Sequence, residues 1–280
     1  MKKRIVITLT FLLGLSIFLF PIITNYLNSI VHYTVIEDYQ SNINEIDAET
    51  LNRKKEDAIE HNRLLTEQVK TIDDPFSEDD KEKRKISEYE SIINVGQAMG
   101  YISIPTIDVE LPIYSGVSDT VLSKGVGHLP RSSLPIGGKG THAALTGHRG
   151  LPTSELFRNL DGLEIGDKFF VHTLDETLAY QVDQIKIVLP HEMDDLSIVP
   201  DQDYVTLITC EPYMINSHRL LVRGTRIPLE DLQDQDSEEA MQPVKNSKVK
   251  MYTLIVSGLI IVITVLVVVR KVIKKRKGIG

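Results

Sequence analysis

Two apolar runs, one at each end, constrain this 280-residue chain more than any other feature. The first extends from Ile5 to about Ile23 and follows Lys2, Lys3 and Arg4. The second extends from Met251 to Val269 and is followed by Arg270, Lys271, Lys274, Lys275, Arg276 and Lys277. At about 1.5 Å per helical residue, each approaches the ~30 Å hydrocarbon thickness of a bilayer. The second does not read as the core helix of a soluble fold, since its polybasic tail has no place inside one. A cleaved signal peptide is the alternative for the first run, but no small-x-small cleavage site follows Phe18. An uncleaved anchor is the expectation. Basic flanks mark the cytoplasmic side, so both termini are expected in the cytoplasm and the region between the runs outside the cell.

That placement sharpens the meaning of the chain's single cysteine, Cys210. Outside the cell a lone cysteine has no intramolecular disulfide partner. It is a buried small side chain, a link to another chain, or a reactive thiol. The formal net charge of −8 argues against a nucleic-acid partner, which would require a basic face. No carboxylate cluster has the spacing of a calcium loop, and neither metal nor cofactor is expected.

Between the anchors the texture changes once. From Glu37 to about Lys85 the chain is dense in charge, with weak helical spacing at Tyr39, Ile43 and Ile46 and again at Ala58, Ile59, Leu64 and Leu65. This predicts one or two exposed helices ending near Val69. Pro75 then breaks any helix, and Asp74 before it is held non-helical. The result is an acidic loop with an aromatic, Phe76, at its tip. After about Gly96 short strand-like runs follow one another: Tyr101–Tyr114, Ala143–Thr146, Lys168–His172, Ala179–Val188, Tyr204–Cys210 and Arg219–Thr225. Many short strands with few helices predict a mainly β fold, a closed or nearly closed barrel. One short helix is expected over Ser154–Leu160.

Tyr204–Arg226 reads as a hairpin. Closing it makes Cys210 and Arg219 near neighbours on one face, with Leu220 and Val222 turned into the core. Arg223 shares the face of Arg219 but stands further along it. A cation beside a thiol favours the nucleophilic thiolate and is able to hold a developing oxyanion. The missing proton carrier is sought among eight histidines. His148, between two glycines after a strand, stands at a rim where it faces a groove. His128, His142 and His218 have less suitable contexts.

The run Thr206-Leu-Ile-Thr-Cys resembles the Thr-Leu-x-Thr-Cys signature of the sortases, the cysteine transpeptidases of Gram-positive bacteria. The family's arginine falls at Arg219, its histidine at His148 in a Thr-Gly-His context, and Tyr101-Ile-Ser-Ile-Pro resembles its barrel opening. The likeness covers about residues 96–226. The two membrane segments, the Ser217–Gly224 stretch and Asp74-Pro75-Phe76 further resemble the class C, or pilin-polymerising, branch, where an Asp-Pro-Trp/Phe lid occupies the groove. The resemblance implies a closed eight-stranded sortase-type β-barrel with N-terminal helices and two transmembrane helices. The expected organisation is an anchor over 1–30, a helical region over 31–95 with its lid near 71–80, a catalytic barrel over 96–230, a linker over 231–249, a transmembrane helix over 250–270 and a basic tail over 271–280.

The same resemblance implies a reaction. Cys210 attacks the Thr–Gly carbonyl of a Leu-Pro-x-Thr-Gly-type sorting motif, and a thioester forms. A lysine amine of the next pilin subunit then resolves it. His148 shuttles the proton and Arg219 orients the carbonyl, with Thr209 and Glu211 expected to support the groove or the oxyanion. Asp74 is expected to pair with Arg219 and Phe76 to cover Cys210. Pilin subunits and the bilayer are the expected partners. An anchoring sortase using a peptidoglycan-precursor amine, a cysteine protease and a non-enzymatic binding domain are the competing readings.

Overall fold

The computed structural model describes residues 2–68, 74–76 and 89–232. In a separate unit, Met241–Gly280, it describes only Leu254, Ser257, Gly258, Ile261, Val262 and Val265, all helical. Most of the expected second span, most of the linker and the whole basic tail therefore lie outside the described residues. Among the described residues one helix is long and apolar enough to cross a membrane.

That helix is α1, Lys2–Glu45, which runs without interruption from the apolar end into the charged region. Asp47 caps the second helix, α2 (Ala48–Gln68), by accepting the N–H of Thr50 at 2.9 Å. The two helices were expected to be exposed, yet each buries one side against the barrel. Ile36, Tyr39 and Ala58 join the main core. The Tyr39 hydroxyl donates to Met99 O at 3.0 Å and accepts the N–H of Leu174 at 2.7 Å. Asn62 binds both the N–H and the C=O of Leu134, at 2.7 and 3.1 Å. These polar anchors sit between charged residues, which hid the buried stripe in the sequence.

The eight strands are β1 (Gly100–Ile104), β2 (Val109–Ser115), β3 (Val126–His128), β4 (Thr141–Thr146), β5 (Lys168–Thr173), β6 (Glu176–Val188), β7 (Asp203–Glu211) and β8 (His218–Ile227). They close in the order β1-β2-β3-β4-β7-β8-β6-β5, and β5 returns to β1. The β2/β3 and β4/β7 pairs are parallel and the rest antiparallel. Closure removes both sheet edges. Alternate residues fill the interior: Ile102, Ile104, Ile113, Leu145, Phe169, Val171, Leu207, Leu220 and Val222.

The outer face of β4, β7 and β8 is covered as well. Ala144, Ile208 and Leu221 form a second apolar cluster with Val117, Leu122, Leu129, Met193 and Leu196 from the surrounding loops. Burial on both faces explains why these strands read as continuous apolar runs rather than alternating ones.

The helix expected over Ser154–Leu160 does not form. The segment is a series of turns followed by a 3-10 turn, Leu160–Gly162. Leu156 takes a left-handed φ of 44°, which breaks any helix, and Leu156 and Phe157 are both drawn into the core. Beyond β8, Leu232 packs with Phe170 and Ala179 in a small third cluster.

Candidate active site

The site lies at one mouth of the barrel, where β7 ends, β8 begins and the chain leaves β4. Cys210 and Arg219 are direct partners across the β7/β8 ladder, as Thr209 and Leu220 are on the opposite face. Cys210 is buried, with 7% of its surface exposed. Arg223 lies outside the site, paired with Asp183 at 2.9 Å and stacked over Tyr204.

His148 is held beside β7 by its neighbour Gly147. The Gly147 N–H donates to Ile208 O at 3.0 Å, and the Gly147 carbonyl accepts the Thr209 hydroxyl at 2.7 Å. A Cβ at position 147 would stand 2.7 Å from the Phe157 ring, so only glycine lets the loop lie this close. Thr209 is fully buried in these contacts and does not line a groove. Glu211 forms an ion pair with Arg149, which also binds Asp161 at 2.6 Å. Arg149 is the residue that sequence reasoning missed. Its position beside His148 was the available signal, and its positive charge acts on Cys210. The other weighed histidines are elsewhere. His128 and His142 are buried inside the wall, and His218 faces Glu211 across the hairpin.

The Asp74–Phe76 segment lies over this mouth. Asp74 accepts two hydrogen bonds from Arg219, from Nε at 2.8 Å and from Nη2 at 2.7 Å. This two-pronged pair has both side chains largely buried. Phe76 packs on the second apolar cluster, with the Arg219 guanidinium 4.9 Å from its ring centre and the His148 ring 5.8 Å away. Arg219 is further fixed by donating Nη1 to the carbonyls of Asn216 and His218, both at 3.0 Å.

The neighbouring cation favours a thiolate, and burial acts against it. Burial pushes the Cys210 thiol above its ordinary pKa, and this outweighs the opposing pull of Arg219; Asp74 adds to the rise. Burial also holds His148 below the usual imidazole value. With the Asp74–Phe76 segment in place, thiol and imidazole are therefore both favoured in their neutral forms. Among the described residues no group of three or more His, Cys, Asp or Glu stands together as a metal site.

A Sortase domain model matches residues 102–227. Among solved structures, sortase C of Streptococcus pneumoniae, whose structure addresses catalysis and pilin substrate specificity, is 46% identical. The match covers 70% of this chain and 97% of that one, with a TM-score of 0.64. A lid mutant of Streptococcus agalactiae sortase C1 is 41% identical, covering 69% and 97%, with a TM-score of 0.63. Sortase SrtE1 of Streptomyces coelicolor is 33% identical over 145 residues, 47% of this chain, which spans only 41% of that longer relative.

Proposed function

This chain belongs to the sortase family and to its class C branch, and from that premise we propose a membrane-anchored cysteine transpeptidase that joins pilin subunits. The observation that carries the reading is the ladder pair Cys210–Arg219 beside His148, covered by Asp74 and Phe76.

In the proposed reaction the cover first leaves, and Arg219 exchanges the Asp74 carboxylate for the carbonyl of a Leu-Pro-x-Thr-Gly-type motif. The apolar cluster vacated by Phe76 is then open to the motif's apolar residues. Cys210 Sγ attacks the threonine carbonyl carbon as its proton passes to His148. Arg219 holds the developing oxyanion with preorganised donors. The tetrahedral adduct collapses, the C–N bond to glycine breaks, and His148 returns the proton to the leaving amine. A lysine amine of the next pilin then attacks the thioester and loses a proton to His148. An isopeptide forms and the thiol is restored. The basic flanks of both apolar runs support cytoplasmic termini and an extracellular barrel.

Incubating the full-length protein in detergent with a sorting-motif peptide and a lysine-bearing pilin fragment tests this. The expected products are a thioester on Cys210, absent in Cys210→Ala, and a lysine adduct. Hydrolysis without an adduct, or transfer only to a peptidoglycan-type amine, would overturn the pilin-joining reading.

A further inference from the structure

Met214 and Ile215, on the connection between β7 and β8, are the two most exposed large apolar side chains of the described residues, at 80% and 71%. They exceed even those of the apolar part of α1. Tyr213 beside them is also exposed. Nothing in the proposed chemistry uses them, yet the fold holds them outward. The N–H groups of Ile215 and Asn216 both donate to Pro212 O, at 3.1 and 2.9 Å, and Asn216 O is bound by Arg219. Met214 and Asn216 take left-handed φ values of 65° and 59°, uncommon for residues with a side chain. The tip is therefore a built turn that presents apolar groups to its surroundings.

Its neighbours say what those surroundings are. The Arg158 guanidinium lies 5.6 Å over the Tyr213 ring, and Arg158 Nη2 donates to Leu151 O at 3.1 Å. In the same turn Thr153 O accepts Asn28 Nδ2 of α1 at 2.7 Å. The apolar run of α1 ends at Ile23, so Asn28 stands only about 7.5 Å further along the helix. The headgroup layer of one leaflet is itself roughly 5–8 Å deep. If α1 enters a bilayer along its apolar run, the turn that holds Asn28 comes to the height of the lipid headgroups.

We propose that the Tyr213–Ile215 tip is seated in the headgroup layer of the bilayer that α1 enters, turning the Cys210 mouth of the barrel towards the membrane. Tyrosine and large aliphatic side chains suit that layer. The site then meets cleavage motifs held close to the lipid surface. The inference rests on α1 spanning the membrane and is tested separately from it.

The chain has no tryptophan, so one substitution creates a single reporter. Three full-length variants, Ile215→Trp, Phe11→Trp in α1 and Val199→Trp at the far mouth, are placed in phosphatidylcholine vesicles brominated near the start of the acyl chains. The Ile215→Trp protein is expected to emit at shorter wavelength and lose about half of its emission to bromine, as a side chain buried ~5–10 Å into the interface would. Val199→Trp is expected to lose none. Quenching of Phe11→Trp together with an Ile215→Trp signal no different from that of Val199→Trp overturns the proposal while leaving the anchor intact. No quenching in Phe11→Trp overturns the anchor reading itself. A blue shift of Ile215→Trp that requires a pilin fragment and not lipid assigns the tip to a protein partner, and also overturns it.

Discussion

The two mouths of the barrel each carry an arginine of β8 facing an aspartate, and the pairs are built differently. At the Cys210 mouth, Arg219 meets Asp74, which arrives from a distant segment and makes two short bonds. At the other mouth, Arg226 stands 3.8 Å from Asp203, its neighbour across the β7/β8 ladder region. Asp203 there also binds Gly138 N–H at 2.7 Å and the Tyr180 hydroxyl at 2.9 Å, beside a cavity of about 1090 Å³ bordered by α2. One carboxylate is part of the wall and the other is only laid on it. A strong bond to a separable partner conceals a cation until that partner leaves, whereas a web of bonds within the wall holds the barrel shut.

The largest expected effect separates the arginines. Arg219→Ala should lower peptide turnover about 100- to 1000-fold, as loss of an oxyanion donor does, while Arg226→Ala should leave turnover within a few-fold. Equal losses in the two variants would erase the distinction. Acid should act on the wall. Burial lowers His128, His142 and His172 to about 4. The folded state thus prefers them neutral while the unfolded chain titrates near 6.5. Their contribution is present above pH ~6.5 and is lost as pH falls towards 4, at about 1.4 kcal/mol per histidine for each pH step of one crossed. Thermal melts across this range should show the loss, equally in Phe76→Ala. Next in size, Asp203→Ala should cost about 2 kcal/mol, seen as a Tm lower by several degrees, because a buried tyrosine hydroxyl loses its partner. Its thiol alkylation rate should not change. Asp74→Ala should do the reverse: little change in Tm, and alkylation of Cys210 about tenfold faster for ~1.4 kcal/mol of lost closure. The pH midpoint of alkylation should also move down, since burial and Asp74 both raise the thiol pKa. An unchanged rate and midpoint would mean that the segment does not shield the thiol.

The Cys210–Arg219 facing was legible because an antiparallel hairpin has a period of two and a short connection, so spacing alone sets partners. β4, β7 and β8 were legible as continuous apolar runs, because both of their faces are buried. β3 was not, since Val126–His128 is three residues supported by neighbours rather than by its own pattern. The helix expected at 154–160 fails because Leu156 takes a left-handed φ, and turns carry Leu156 and Phe157 into the core. The seat of Phe76 was invisible as well. It is assembled from Ala144, Ile208 and Leu221 with loop residues far apart in sequence, which no local window joins. The direction of the Cys210 shift was left open by the sequence, because adjacency to a cation is readable there and the depth of burial is not.

The Thr209 hydroxyl on Gly147 O joins the residue before Cys210 to the residue before His148. The separation of Cys210 and His148 is thus gauged inside the wall, by a bond that neither cover nor substrate touches. Covers and substrate-facing loops are then free to diverge while the gauge is kept. In the proposed reaction, changes that widen or narrow the range of accepted motifs should accumulate around this mouth without altering the distance between the Cys210 thiol and the His148 ring.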